Sequence, residues 1–167
     1  MYLKLLGACL TVAGTGALGF YLGNRYLQRV RDLERLINLL NFLKSEIRYK
    51  ATPLPEIFAK MANSEEGTVA RLFEIKDKTL PVNQGLKKAL VEGFFQTALL
   101  KREQEILLAF AEKIGMSDLR EQENLLNYTC EQLKLVLAES RQEAEKNVKL
   151  VNYLGVLVGA FLVLLFF

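Results

Sequence analysis

The chain contains no histidine. That removes both the commonest general base near neutral pH and the commonest metal ligand. Cysteine is scarce as well. Cys9 lies in an apolar run and Cys130 on an apolar helix face, with neither a near partner nor a metal-ligand spacing, which predicts buried free thiols. Aspartate occurs only at Asp32, Asp77 and Asp118, and Asp118 falls in a helix's first turn, where a carboxylate serves the dipole. Glu103 and Glu105 precede an apolar run, but a spacing of two puts them on different helix faces. There is no Gly-rich phosphate loop, nucleophile elbow or paired ligand motif. The sequence therefore predicts no catalytic, cofactor-binding or metal site, and no enzyme.

Charge is missing from two long stretches. Residues 150–167, "LVNYLGVLVGAFLVLLFF", carry none over eighteen residues. A core helix of a soluble domain has a polar face and a cap, and a secretory signal lies at the N-terminus. The run predicts a transmembrane helix whose end is also the end of the chain, since at about 1.5 Å per residue it reaches roughly 27 Å. Leu5 to Asn24, twenty residues, is likewise uncharged. A cleaved signal peptide is the rival there, because Lys4 supplies a short basic region. The apolar run is longer than a signal's, and "YLGNRYLQRVR" is a poor cleavage site, which favours a retained anchor. Neither segment contains the intramembrane charge that would suggest transport. Asn152 is the only strongly polar side chain of the second. Small residues recur at helix-neighbour spacing, with Thr15, Gly19 and Gly23 in one segment and Gly155 and Gly159 in the other. Such faces let another helix backbone approach, and Gly is also simply common in membrane helices; the two explanations fit equally.

Every charged side chain except Lys4 lies between these segments. Arg25, Arg29, Arg31 and Arg35 follow the first at once, and Lys146 and Lys149 precede the second. The positive-inside rule then places residues 25–149 in the cytoplasm and both termini on the far side. Tyr21, Tyr26 and Tyr153 fit an interfacial aromatic belt. The basic positions either set topology or also meet anionic headgroups of membrane lipid. The middle holds 21 basic and 19 acidic side chains, too even a balance for a nucleic-acid binder, whose charge concentrates in a stripe.

That middle is long enough for one domain with a real core, and it reads as helix throughout. Val30, Leu33, Leu36, Ile37, Leu40, Leu43 and Ile47 form one stripe, with no breaker but Gly23-Asn24 between it and the first apolar run, which allows one helix to run through both. Thr52 is placed to cap a second helix with Pro53 and Pro55 in its first turn, so the preceding helix must stop near Lys50. Ser64 is placed to cap a third helix carrying Val69, Leu72, Phe73 and Ile75 towards Lys78. "LPVNQG" (80–85) reads as the clearest loop. From Leu86 the pattern resumes through Leu90, Phe94, Phe95 and Leu99, and a further helix spans about Arg102 to Ile114. Gly115 fits a left-handed residue after a helix end, and Ser117 the next cap. The last stripe, through Leu119, Leu126, Cys130, Leu133, Leu137, Ala144, Val148 and Val151, runs unbroken into the terminal segment. Charged faces such as "ESRQEAEK" read as solvated surface laced by pairs such as Glu145 and Lys149. The expected architecture is all-α: about six helices, the first and last continuing as anchors. Its divisions are a transmembrane helix at 5–24, a cytoplasmic helical bundle at 25–149 and a transmembrane helix at 150–167.

"EIRYKATPLPEIF" (46–58), "LF" at 72–73, "EILLAFAEKIGMSD" (105–118) with Gln122, and "YLGVLVGAFLVLL" near the end together resemble the stage III sporulation protein AB family. The resemblance covers essentially the whole chain in order. Lys50 departs from it, standing where a small residue is expected. The resemblance implies a non-enzymatic part of the secretion-like channel complex between mother cell and forespore, needed for endospore formation. It implies a six-helix bundle similar to the inner-membrane platform domain of type II secretion and type IV pilus machines. As partners it implies the AA-type cytoplasmic ATPase of the sporulation complex and other stage III sporulation channel proteins, in the mother-cell membrane facing the forespore. Platform proteins generally have two bundles and three anchors against one and two here, a difference that a homo-oligomer would make up. A membrane-tethered cytoplasmic adaptor or regulator is the alternative role.

Overall fold

Helix accounts for every regular element among the described residues. The structure, a computed structural model, describes residues 2–50, 52–77 and 79–166, with the side chains at 2–6, 8, 9 and 166 outside that description. The thiol expected at Cys9 and the helix end expected at Lys78 thus lie outside the described residues. Six α-helices follow in order: α1 Tyr2–Ser45, α2 Leu54–Ala62, α3 Gly67–Ala70, α4 Val82–Gly93, α5 Lys101–Lys113 and α6 Leu119–Phe166. A π-turn, Glu46–Lys50, closes α1, and short 3-10 turns at Arg71–Phe73 and Phe94–Gln96 follow α3 and α4. The chain divides into two units, Met1–Val30 with Glu139–Phe167, and Arg31–Ala138. Helices α1 and α6 contribute to both.

The central unit, Arg31–Ala138, is built on the stripes that the sequence displays. Leu33, Leu36, Leu40 and Leu43 of α1 are fully buried, together with Ile57, Leu72, Leu86, Leu90 and Leu133. Phe58 of α2 stacks on Phe73 with ring centroids 6.1 Å apart and planes 13° apart. Truncating either ring to Ala removes about 3–5 kcal/mol. Cys130 is a buried free thiol, raised above its ordinary pKa first by that burial. A thiol held neutral in this way has little nucleophilic character.

Several local expectations give way to tertiary contacts. The third helix is a single turn plus a 3-10 turn ending at Phe73 rather than a helix towards Lys78. Neither Thr52 nor Ser64 acts as an N-cap: Thr52 donates its hydroxyl to Glu46, and Ser64 donates to the Met61 carbonyl at 2.7 Å. Pro53 and Glu66 hold those cap positions without a side-chain hydrogen bond. "LPVNQG" is loop only as far as Pro81. Helix α4 starts at Val82, so Gly85 sits inside it, where a Cβ would lie 2.6 Å from Ile75 Cγ2. Gly115 has φ +78°, as a residue ending a helix in the left-handed region requires. The cap that follows is Asp118, not Ser117: Asp118 Oδ1 accepts the Glu121 N–H at 2.8 Å. Two stripe positions, Phe95 and Leu119, are exposed.

Candidate membrane-helix pair and its charged flank

Side chains of minimal size let two helix backbones touch, and the outer unit uses all five small residues singled out by spacing. A Cβ on Gly19 would lie 2.8 Å from the Val151 carbonyl oxygen and 3.3 Å from Gly155 Cα. A Cβ on Gly155 would lie 2.8 Å from the Thr15 carbonyl oxygen. A Cβ on Gly159 would meet Thr15 Oγ1 and the Val12 Cα, and one on Gly23 would lie 2.9 Å from Asn152 Oδ1. Each of these obstacles but the Asn152 amide and the Thr15 hydroxyl is backbone, so no rotamer change makes room. The two small-residue faces meet each other within one chain. The threonine hydroxyls of α1 close locally: Thr11 and Thr15 donate to the carbonyls of Gly7 and Thr11, at 2.9 and 3.0 Å, the usual way a hydroxyl is satisfied on an apolar helix.

Helix α6 contains, within Leu119–Leu165, a window long and apolar enough to cross a bilayer, with mean hydropathy 2.2. Only 6% of that window is buried, so its apolar side chains point away from protein. This distinguishes it from a core helix, whose apolar residues are covered.

The basic residues of the flank divide. Arg29 donates to Glu143 Oε2 at 2.8 Å, so its charge is spent on α6. Arg35, in the central unit, reaches Asp32 Oδ1 and Glu66 Oε2, each at 3.8 Å. Arg31 is exposed and also engaged in an interaction. Arg25, Lys146 and Lys149 are exposed. The expected pair of Glu145 with Lys149 does not close, and among the described residues neither has an ion-pair partner.

Sequence reasoning missed three buried carboxylates in the central unit. Asp32 is fully buried; its Oδ2 accepts the Ala98 N–H at 2.8 Å, while Oδ1 has no hydrogen bond. Glu103, also fully buried, accepts the Leu100 N–H at 2.7 Å, capping α5 from within its own first turn. Glu46 collects Lys50 at 2.5 Å, Lys60 at 3.2 Å and the Thr52 hydroxyl at 3.3 Å. The Lys50 hydrogen bond holds its carboxyl below the ordinary range, burial opposes, and Lys60 adds to the lowering. Lys50, the departure from the family pattern, therefore has a local partner. The i,i+4 spacing of Glu46 and Lys50 was the one available signal; Ala98 lies too far along the chain from Asp32 for any periodicity to link them. All three carboxylates are tied to backbone N–H groups or lysines at element ends, an arrangement that fixes chain turns. Among the described residues no three metal-ligating side chains come together.

The sequence profile of stage III sporulation protein AB matches residues 4–167. Stage III sporulation protein AB of Bacillus subtilis (strain 168) is 31% identical over 168 residues, 98% of each chain. A solved structure of a stage III sporulation protein AB superposes with a TM-score of 0.59 at 24% identity, covering 70% of this chain and 96% of that one, a likeness of fold. The match over nearly the full length, together with the helical fold and the apolar helix, makes the conclusion direct: this chain belongs to the stage III sporulation protein AB family.

Proposed function

We propose that this chain is a non-enzymatic membrane platform in the secretion-like channel complex between mother cell and forespore. Both apolar segments cross the mother-cell membrane, the bundle faces the cytoplasm, and both termini lie on the far side. The bundle then offers its surface to the AA-type ATPase, and the outer unit meets other stage III sporulation channel proteins.

The observation that carries this reading is the backbone-to-backbone packing of Gly19 on Gly155. A chain that needs the membrane only as a tether has no use for a specific helix pair, since any apolar helix anchors equally well. A pair whose approach is fixed by five small residues presents a defined outer face to neighbouring membrane proteins.

Exchanging both apolar segments for unrelated anchors of equal length tests it. In a strain lacking the protein, the platform reading expects the exchanged chain to accumulate normally, reach the membrane and yet fail to restore heat-resistant spores. Full restoration would leave an adaptor on interchangeable tethers. Cysteine-scan cross-linking over the exposed positions of 50–125 in sporulating cells then asks whether the ATPase component is the neighbour.

A further inference from the structure

Along one side of the outer helix pair two cavities run end to end. The first, about 420 Å3, is lined by Phe20, Tyr21, Gly23 and Asn152. The second, about 330 Å3, is lined by Val30, Arg141, Ala144, Glu145 and Lys149, of which Arg141 is already engaged in another interaction. Leu27 and Val148 line both and so join them into one groove. We propose that this groove binds one phospholipid bearing a phosphoethanolamine headgroup. The proposal rests on the membrane reading above.

The order of polar groups along α6 carries the argument. The groove begins among uncharged residues and ends among charged ones, the same change of surroundings that a lipid makes between acyl chain and headgroup. Three polar side chains of α6 mark that passage. Asn152 is innermost. Its Oδ1 is turned onto Gly23, buried and without a hydrogen bond, and the side chain lines the first cavity. Lys149 stands about 4.5 Å further out and Glu145 about 6 Å beyond that, at about 1.5 Å rise per residue. A donor, then a cation, then an anion match in order the ester carbonyl, the phosphate and the ammonium of a phosphoethanolamine lipid.

The charges are also free to serve. Glu145 and Lys149, four residues apart on one face, line the groove without closing on each other. A phosphate and an ammonium between them give each a partner of opposite sign. A lipid with a glycerol headgroup satisfies Lys149 but leaves Glu145 against a negative headgroup. A second copy of the chain seated here brings lysine against lysine.

Because the chain has no tryptophan, Phe20→Trp supplies a single fluorescent reporter inside the groove. The full-length chain is reconstituted in phosphatidylcholine vesicles doped with bromine-labelled phosphatidylethanolamine, phosphatidylglycerol or phosphatidylcholine at equal mole fraction. We expect the ethanolamine lipid to quench with about fivefold higher apparent occupancy than labelled phosphatidylcholine, whose quaternary ammonium keeps the charge but has no N–H to donate to Glu145, the factor given by one net hydrogen bond. Glu145→Gln removes the preference of ethanolamine over glycerol lipid, and Lys149→Gln weakens both. Equal quenching by the three lipids overturns the site and leaves ordinary boundary lipid. A preference for the glycerol lipid that ignores Glu145→Gln overturns the headgroup assignment. Quenching by none of them overturns the membrane reading itself, which separates that failure from failure of the site.

Discussion

Gly19→Leu is expected to part the two helices of the outer unit. A Cβ at Gly19 would already stand 2.8 Å from the Val151 carbonyl oxygen and 3.3 Å from Gly155 Cα. Non-bonded carbons settle at about 3.5–4.0 Å. The Cβ alone therefore forces a shift of several tenths of an ångström, and the rest of the leucine side chain forces more. Overpacking of this kind costs about 1–3 kcal/mol, which lowers the population of the closed pair by about 5- to 150-fold. The readout is an intrachain cross-link. A Cβ on Gly16 would lie 3.9 Å from Val156 Cγ2, with nothing else within 4 Å. Gly16→Cys with Val156→Cys, in a Cys9→Ser, Cys130→Ser background, thus places two sulfurs within bridging reach. Under mild oxidation in membranes this parent should form an intrachain disulfide, and adding Gly19→Leu should slow its formation at least several-fold. Gly14→Ala is the control, since a Cβ there meets nothing within 4 Å, and it should leave the rate unchanged. Unchanged cross-linking in the Gly19→Leu chain would refute the reasoning. So would a parent that yields covalent dimers instead, because the small-residue faces would then meet between chains.

Two further expectations concern the central unit. Gly85→Ala should lower the melting temperature by a few degrees, because its Cβ meets Ile75 Cγ2 at 2.6 Å and overpacking of about 1–3 kcal/mol outweighs the roughly 1 kcal/mol that Ala gains over Gly in a helix. With Ile75→Ala already present, the same change should raise the melting temperature, and failure of that sign change in thermal scans of the full chain sinks the account. The Lys50 hydrogen bond holds the Glu46 carboxyl pKa below the ordinary glutamate value, so the folded state binds its proton more weakly than the unfolded state. The resulting stability is present above about pH 4.5 and is lost as pH falls through the lower folded value. Glu46→Gln should therefore flatten the acid limb of melting temperature against pH, and an unaltered limb would place the acid sensitivity elsewhere.

How far the fold was legible depended on where each residue's partner lies. The stripe from Leu33 to Ile47 is set by helical repeat alone, and all its members are buried. The helix end near Lys50 followed from Pro53, and the left-handed Gly115 from its place after a helix end; both are local rules. The third helix was over-extended because Val69, Leu72, Phe73 and Ile75 keep helical spacing although the backbone turns to an extended conformation at Glu74. Thr52 and Ser64 have the chemistry of caps, but Glu46 and the Met61 carbonyl take their hydroxyls. "LPVNQG" misled because Gly85 suits a loop, whereas here it makes room for Ile75. In the outer unit the small-residue spacing picked out positions without saying which would face which. The ladder of Asn152, Lys149 and Glu145 was visible as composition; its alignment along one groove needed the opposing helix.

The pairing of Gly19 with Gly155 sets a timetable for synthesis. The partner of the first apolar segment is made about 130 residues after it, and at roughly 5–20 residues per second the wait is on the order of ten seconds. On the membrane reading proposed above, the small-residue face of the first helix stands open throughout that interval to whatever shares the bilayer. Neighbouring proteins, the insertion machinery or a second nascent chain can occupy it first. The last helix then arrives as a competitor that must displace the occupant before the pair can close.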